Sequence, residues 1–252
     1  MKKHLKRLRV PEFWKISKKR AKWATMPRAG PHSKFESIPL LIVVRDILDL
    51  ADTRKDAKKI IKMGEVFVDG KHKKDHKYPA GLMDVVSIPK LKTNHRIVPT
   101  YKGLKLIEIG AVEAEKKICK IENKRSIRKA ASKAAAKGAT KTAATIQLNL
   151  HDGRNILVDA KDADKYEVGD SVLITLPDQK VSNHLKMQKG ALVIITKGKN
   201  IGMSGKIEQI IVTKAKEPTK LICKIAGEKM EVIKDYVFVI GKEKPVIKLT
   251  ED

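Results

Sequence analysis

The chain has 252 residues, with 55 Lys and Arg against 29 Asp and Glu, and a formal net charge of +26. So large an excess repels itself in isolation and suits a dense anion, either nucleic acid or an acidic membrane surface. No apolar run approaches the roughly 18–20 residues of a spanning helix, and no apolar signal core follows the basic N-terminus.

Cys119 and Cys223 lie too far apart, and are too few, for a disulfide framework or a zinc site. They fit a reducing cytoplasm as small buried hydrophobes. With aromatics at only 4%, a core must be built from Ile, Val and Leu, which favours small β-rich modules.

Residues 1–37 form a basic N-terminal arm. Its first 34 residues hold twelve Lys and Arg against one acid, Glu12. Lys6, Arg7, Arg9, Lys18, Lys19 and Arg20 are candidate RNA contacts. Pro11, Pro27 and Pro31 punctuate the arm. Trp14 and Trp23 lie within it, and disordered tails seldom carry two tryptophans. The expectation is a tail that orders on RNA, with a tryptophan stacking on bases or packing on the neighbouring domain.

Residues 38–99 read as a compact α/β unit. Leu41, Val44, Leu48 and Ala51 keep the helical period, with Ser37 placed to cap the start. Thr53 opens a second helix with Asp56 as the acidic half of a capping box. Ala57, Ile60 and Ile61 face inward, and Gly64 ends it. Val66 and Val68 alternate as a strand, Asp69-Gly70 is a tight-turn signal, and Asp84 to Ile88 is a further strand. Arg54, Lys55, Lys58, Lys59 and Lys62 surround the helix's outer face. Lys71, Lys73, Lys74 and Lys77 follow the turn. A solvated face normally mixes signs, and here only Asp56 interrupts it, so a phosphate-binding surface is expected, with Arg45 on the preceding helix.

Residues 100–180 read as a central β domain. Ile146, Leu148 and Leu150 alternate, Asp152-Gly153 turns, and Ile156 and Val158 return, with Arg154 just past the turn. Val172, Ile174 and Leu176 make another strand. An insert at 123–144, rich in Ala and Lys, looks helical or disordered. Arg125, Lys129, Lys133, Lys137 and Lys141 recur in it every four residues, as one helical stripe would require. Arg125, Lys129 and Lys133 are taken as RNA contacts.

Residues 181–252 hold short strands at 192–195, 207–212, 221–225, 230–233 and 236–240, a spacing that suggests a small barrel. Gly198, Gly202 and Gly205 lie in the loop after the first of these and its approach to the second, flanked by Lys197, Lys199 and Lys206. Positive φ is expected at Gly202 and Gly205. Gly205-Lys206 is followed by Ile207 and a strand, so a nucleotide-binding P-loop is excluded.

The stretch Val193-Ile-Ile-Thr-Lys-Gly-Lys-Asn-Ile-Gly-Met-Ser-Gly-Lys-Ile resembles the KOW motif of ribosomal proteins and elongation factors. Arg45-Asp46-Ile47-Leu48 through Gly64-Glu-Val-Phe-Val-Asp-Gly-Lys71 resembles the S-four type RNA-binding domain. Pro11-Glu-Phe-Trp14 with Gly30-Pro-His32, and Ile146-Gln-Leu-Asn-Leu-His-Asp-Gly-Arg-Asn155, complete an ordered set of four segments. In that order they resemble the ribosomal protein S-four-e family over nearly the whole chain. The resemblance implies an α+β multidomain protein ending in a KOW-type small β-barrel. It also implies a cytoplasmic, ribosome-bound protein that contacts small-subunit rRNA and neighbouring ribosomal proteins. The compact length points to an archaeal member. The family's pattern has only a short connection where the Lys/Ala-rich insert stands.

No enzyme is expected. There is no Ser-His-Asp order, no nucleotide loop, no cofactor or metal site, and no small-molecule substrate. His151 and Asp152 sit at a turn and read as turn geometry and solvation. His32, His72, His76, His95 and His184 are scattered without metal-ligand spacing. The chain is expected to act as a single copy away from membranes. The competing class is a free-acting RNA factor in ribosome assembly or transcription elongation.

Overall fold

The computed structural model describes residues 4–17, 19, 21–127, 145–159, 162–212, 218–225 and 227–249. Apolar burial divides into three clusters that share residues across module borders.

The arm packs on the protein's own core. β1 (Leu5–Lys6) pairs antiparallel with β2 (Trp23–Ala24). Leu5, Val10 and Trp14 join the first apolar cluster. Trp14 is 1% exposed, and its indole N–H donates to the Ser37 carbonyl at 2.9 Å. Of the two fates expected for an arm tryptophan, Trp14 takes packing on the neighbouring domain. A buried Trp supplies both a large apolar surface and a satisfied polar edge. Trp23 stays half exposed.

β3 (Ser37–Pro39) leads into α1 (Leu40–Ile42) and a π-helical segment, Val43–Ile47, in which the Leu48 N–H donates to the Val43 carbonyl at 2.9 Å. Ser37 caps nothing. It is buried in β3, and its hydroxyl donates to the Ser33 carbonyl at 2.7 Å. The helix instead starts behind Pro39, and Leu40 to Val44 are buried in succession, as in a helix covered on all sides.

α2 (Arg54–Met63) follows the expected plan. Thr53 Oγ1 accepts from the Asp56 N–H at 3.2 Å, the Asp56 carboxylate accepts from the Thr53 hydroxyl at 2.5 Å, and Gly64 ends the helix at φ 79°. β4 (Phe67–Val68) turns through Asp69 and Gly70, both at positive φ, into β5 (Lys71–His72). β6 (Pro79–Gly81) pairs with β3. β7 (Val85–Ile88), β8 (Thr93–Thr100) and β9 (Gly103–Glu108) complete an antiparallel sheet of order β5-β4-β7-β8-β9.

After α3 (Ala111–Ala114), the long strand β10 (Lys116–Ile127) organises the central sheet with β11 (Thr145–Leu150), β12 (Asn155–Asp159), β13 (Ser171–Thr175) and β14 (Val181–Leu185). The order is β12-β11-β10-β13-β14. Residues 123–127 are strand, which corrects the helical or disordered expectation for the start of the insert. Ile127 faces Thr145 in the ladder, so the backbone groups there are already paired with β11. The Lys124 ammonium donates to the Ala163 carbonyl at 2.6 Å. Residues 128–144, including Lys129, Lys133, Lys137 and Lys141, lie outside the described residues.

β15 (Leu192–Ile195), β16 (Ser204–Ile211), β17 (Lys220–Ile225), β18 (Glu228–Ile233) and β19 (Val237–Gly241) form the last sheet, ordered β18-β17-β16-β15-β19. β18 and β19 sit at opposite edges, yet only the turn Lys234–Tyr236 separates them. Five flat strands would put the edges about 19 Å apart, at ~4.8 Å per neighbour. The connection reaches about 14 Å. The sheet must therefore curl into a half-barrel, with no β18–β19 ladder among the described residues, where a small barrel was expected.

Gly202 takes φ 82° as expected, and a Cβ there would also lie 2.5 Å from the Thr100 Cα. Gly205 does not need positive φ. It sits in β16, and a Cβ would run into the Lys224 carbonyl oxygen of the paired strand. Gly205→Val is expected to lower stability by about 1–3 kcal/mol through overpacking. Urea unfolding of the full chain checks this, and an unchanged midpoint would contradict it.

Candidate nucleic-acid interface

α2 carries the most coherent basic surface. Ala57 and Ile61 are buried in the first apolar cluster, which turns Arg54, Lys55, Lys59 and Lys62 fully outward and leaves Lys58 half-buried. Lys55, Lys58, Lys59 and Lys62, at helical i, i+3 and i+4 spacing, line one shallow groove with Met63. Lys71 and Lys74 are exposed and Lys77 half-buried. Lys73 is half-buried, with its ammonium 4.5 Å from the Tyr78 ring centre, and burial lowers its pKa.

The other candidates are spread more widely. Lys6, Arg9 and Lys19 are exposed on the arm, whereas the Arg7 guanidinium donates to the carbonyls of Ile16 and Ser17. Lys18 and Arg20 lie outside the described residues. Arg45 is held by Asp46 at 2.8 Å. Arg125 is exposed on β10, Lys199 in the β15–β16 loop and Lys206 on β16, while Lys197 reaches Glu36 at 2.7 Å.

Arg154, a candidate RNA contact, is half-buried. Its guanidinium turns inward to Asp69 at 2.5 Å and Asp152 at 3.3 Å. There it meets a buried cluster that the motifs did not disclose. The Lys117 ammonium, on β10 and 0% exposed, contacts Asp69 at 2.7 Å, Asp84 at 2.6 Å and Asp152 at 2.9 Å. His32 of the arm reaches Asp84 at 3.1 Å. Arm, first sheet and central sheet are thus joined through one buried cation.

Asp69 and Asp152 come from the two Asp-Gly turns. Asp152 Oδ1 accepts from the Arg154 N–H within its turn and Asp69 Oδ1 accepts from the Val85 N–H on β7; both residues are buried, so the expectation that Asp152 is solvated is corrected. Burial alone would raise the carboxyls. The Lys117 ammonium outweighs it at Asp152, held at about 2, and at Asp84, held well below the usual range. Asp69, with Asp84 beside it, is raised. A sequence signal did exist. Lys117, Cys119 and Ile121 alternate onto one strand face, so Lys117 occupies an apolar-face position.

Cys119, His151 and Asp152 place possible ligand atoms within 4.8 Å of one another. They do not suit a metal. His151 Nδ1 accepts from the Lys120 N–H at 3.2 Å, and its Nε2 lies 3.2 Å from the Leu82 carbonyl. Asp152 already neutralises Lys117. Cys119 Sγ itself lies 3.5 Å from the Asp152 carboxylate, within hydrogen-bond reach.

Comparison with known proteins places this architecture. The description "Ribosomal family S4e" matches residues 91–181, and the RS4NT (NUC023) domain matches residues 1–35. Small ribosomal subunit protein eS4 of Ignicoccus hospitalis is 41% identical over 258 residues, covering 99% of this chain and 96% of that protein. Its Methanococcus aeolicus counterpart is 43% identical, with 98% and 97% covered. The crystal structure of the 30S ribosomal protein S4e from Thermoplasma acidophilum superposes with a TM-score of 0.66 at 30% identity, covering 85% of this chain and 99% of that one. The chain belongs to the S4e family of small ribosomal subunit proteins.

Proposed function

We propose that the chain is a structural protein of the small ribosomal subunit that binds and stabilises small-subunit rRNA in support of translation. The observation that carries this reading is the basic face of α2, where Lys55, Lys58, Lys59 and Lys62 surround a groove with no acid in its lining. Lysine acts as a point charge with little base-reading geometry, so these contacts go to phosphates and set position. The post-hairpin lysines, the arm and the lysines of the β15–β16 loop extend the same role. On this reading the C-terminal half-barrel is a KOW-type module, and residues 1–37, 38–99, 100–180 and 181–252 are the working units. The chain serves as one copy among neighbouring ribosomal proteins of an archaeal-type cytoplasmic ribosome.

Sedimentation of small subunits through high salt tests the assignment. A core protein is expected to stay with the particle. Release into the supernatant would instead favour a free-acting factor in assembly or elongation.

A further inference from the structure

A cleft of about 630 Å³ opens where the arm, the β8–β9 hairpin, the central sheet and the half-barrel meet. The volume falls in the roughly 300–1,000 Å³ range of small-ligand sites, which pair apolar walls with a few placed polar groups. Here Phe13, Phe35, Ile201 and Phe238 contribute apolar lining. Phe13 is fixed because it lies directly on Gly103, where any Cβ would collide with it. Phe35 is 64% exposed beside the cleft, with the Lys34 ammonium 5.2 Å from its ring centre.

The charged lining is arranged rather than random. Lys197 and Glu36 join at 2.7 Å, linking the arm to the β15–β16 loop. The Lys120 ammonium donates to the carbonyls of Asp235 and Val237 at 2.8 Å each and of Lys234 at 3.3 Å, which ties the turn between β18 and β19 into the lining. Glu122, also lining the cleft, is exposed. Its carboxylate can accept hydrogen bonds from ring N–H or amino groups.

We infer that this cleft receives a single unstacked nucleobase of the bound RNA, stacked on Phe35, with its phosphate near Lys34 and Lys197. This deepens the rRNA-binding reading and rests on it. Protein readers of irregular RNA take splayed-out bases on exposed aromatic rings and hold the backbone with nearby cations. The cleft supplies both elements within one ligand-sized space. Phe35 is an apolar ring left in water at the edge of a highly basic molecule, and its burial under a base would remove that surface from solvent.

The test uses the full chain and small-subunit rRNA, with binding measured over a salt series and photocrosslinks mapped by peptide mass. Phe35→Ala should weaken binding roughly five- to a hundredfold while leaving the salt slope unchanged, because stacking releases no counterions. Phe35→Trp should restore it. Because Phe35 is exposed, its truncation opens no core void, and urea midpoints should match. Val168→Trp, from a half-exposed position lining the cleft, should narrow it and weaken a nucleotide crosslink to the peptides carrying Phe13 and Phe35.

Wild-type affinity in Phe35→Ala would overturn the proposal, as would crosslinks mapping only to other peptides. A segment of a neighbouring ribosomal protein crosslinked in the cleft of assembled subunits would also overturn it. Lysine variants on α2 separate the two levels. If they lose salt slope while Phe35→Ala changes nothing, the nucleobase site fails and the rRNA reading stands.

Discussion

Lys117→Met is expected to destabilise the folded chain by about 3–5 kcal/mol, the loss seen when one partner of a buried ion cluster is removed. Three carboxylates lie within 2.6–2.9 Å of its ammonium, and Asp84 and Asp152 are each about 1% exposed in their side chains. Methionine fills the space of the stem and leaves those charges without their main counterion.

The pH dependence carries its own sign. In the wild type, Asp152 sits at about 2, below an unfolded value near 3.9, so its contribution is present above about pH 4 and is lost as pH falls towards 2. Asp84 has the same sign. Asp69, raised by burial, has the opposite sign and offsets part of that loss. In Lys117→Met the carboxyls shift upwards, so the deficit should shrink as the pH is lowered from 7 towards 4. Urea unfolding at several pH values checks both parts. A deficit below about 1 kcal/mol at pH 7, or one that grows on acidification, would refute the cluster's role.

Replacing Lys55, Lys58, Lys59 and Lys62 together by glutamine is expected to lower the magnitude of the salt slope for rRNA binding by about three units, at roughly 0.7–0.9 per phosphate contact. The loss should be similar across RNA sequences, because point charges on phosphates carry no base information. Stability should change by no more than about 0.5 kcal/mol, since these side chains lie largely outside the core and their mutual repulsion is relieved. A changed sequence preference with an untouched slope would show instead that these lysines read bases.

How much of this was legible in the sequence depends on whether each signal was local. Thr53, Asp56 and Gly64 act within one helix, and the two Asp-Gly turns act within their hairpins, so both were readable. The first helix was not. Leu41, Val44, Leu48 and Ala51 fit the period, but Leu40 to Val44 are buried in succession, and spacing carries no orientation where every side is covered. The carboxylate of Asp69 meets Lys117 from another module, 48 residues away, and Asp152 meets it across the central sheet. Closure of the last sheet likewise depended on strand order, which regular spacing cannot supply. The partners of Arg154 were hidden for a related reason, because a basic residue beside a turn gives no sign of the acids opposite it.

On the proposed reading, α2 holds structured small-subunit rRNA by its phosphate backbone. Hydroxyl-radical footprinting of purified small-subunit rRNA tests it most directly, with the full chain compared against the four-glutamine variant. Discrete backbone protections are expected with the wild-type chain, with loss of one contiguous subset in the variant. Uniform weak protection indistinguishable from that on an unrelated RNA, or an identical footprint from both chains, would contradict it.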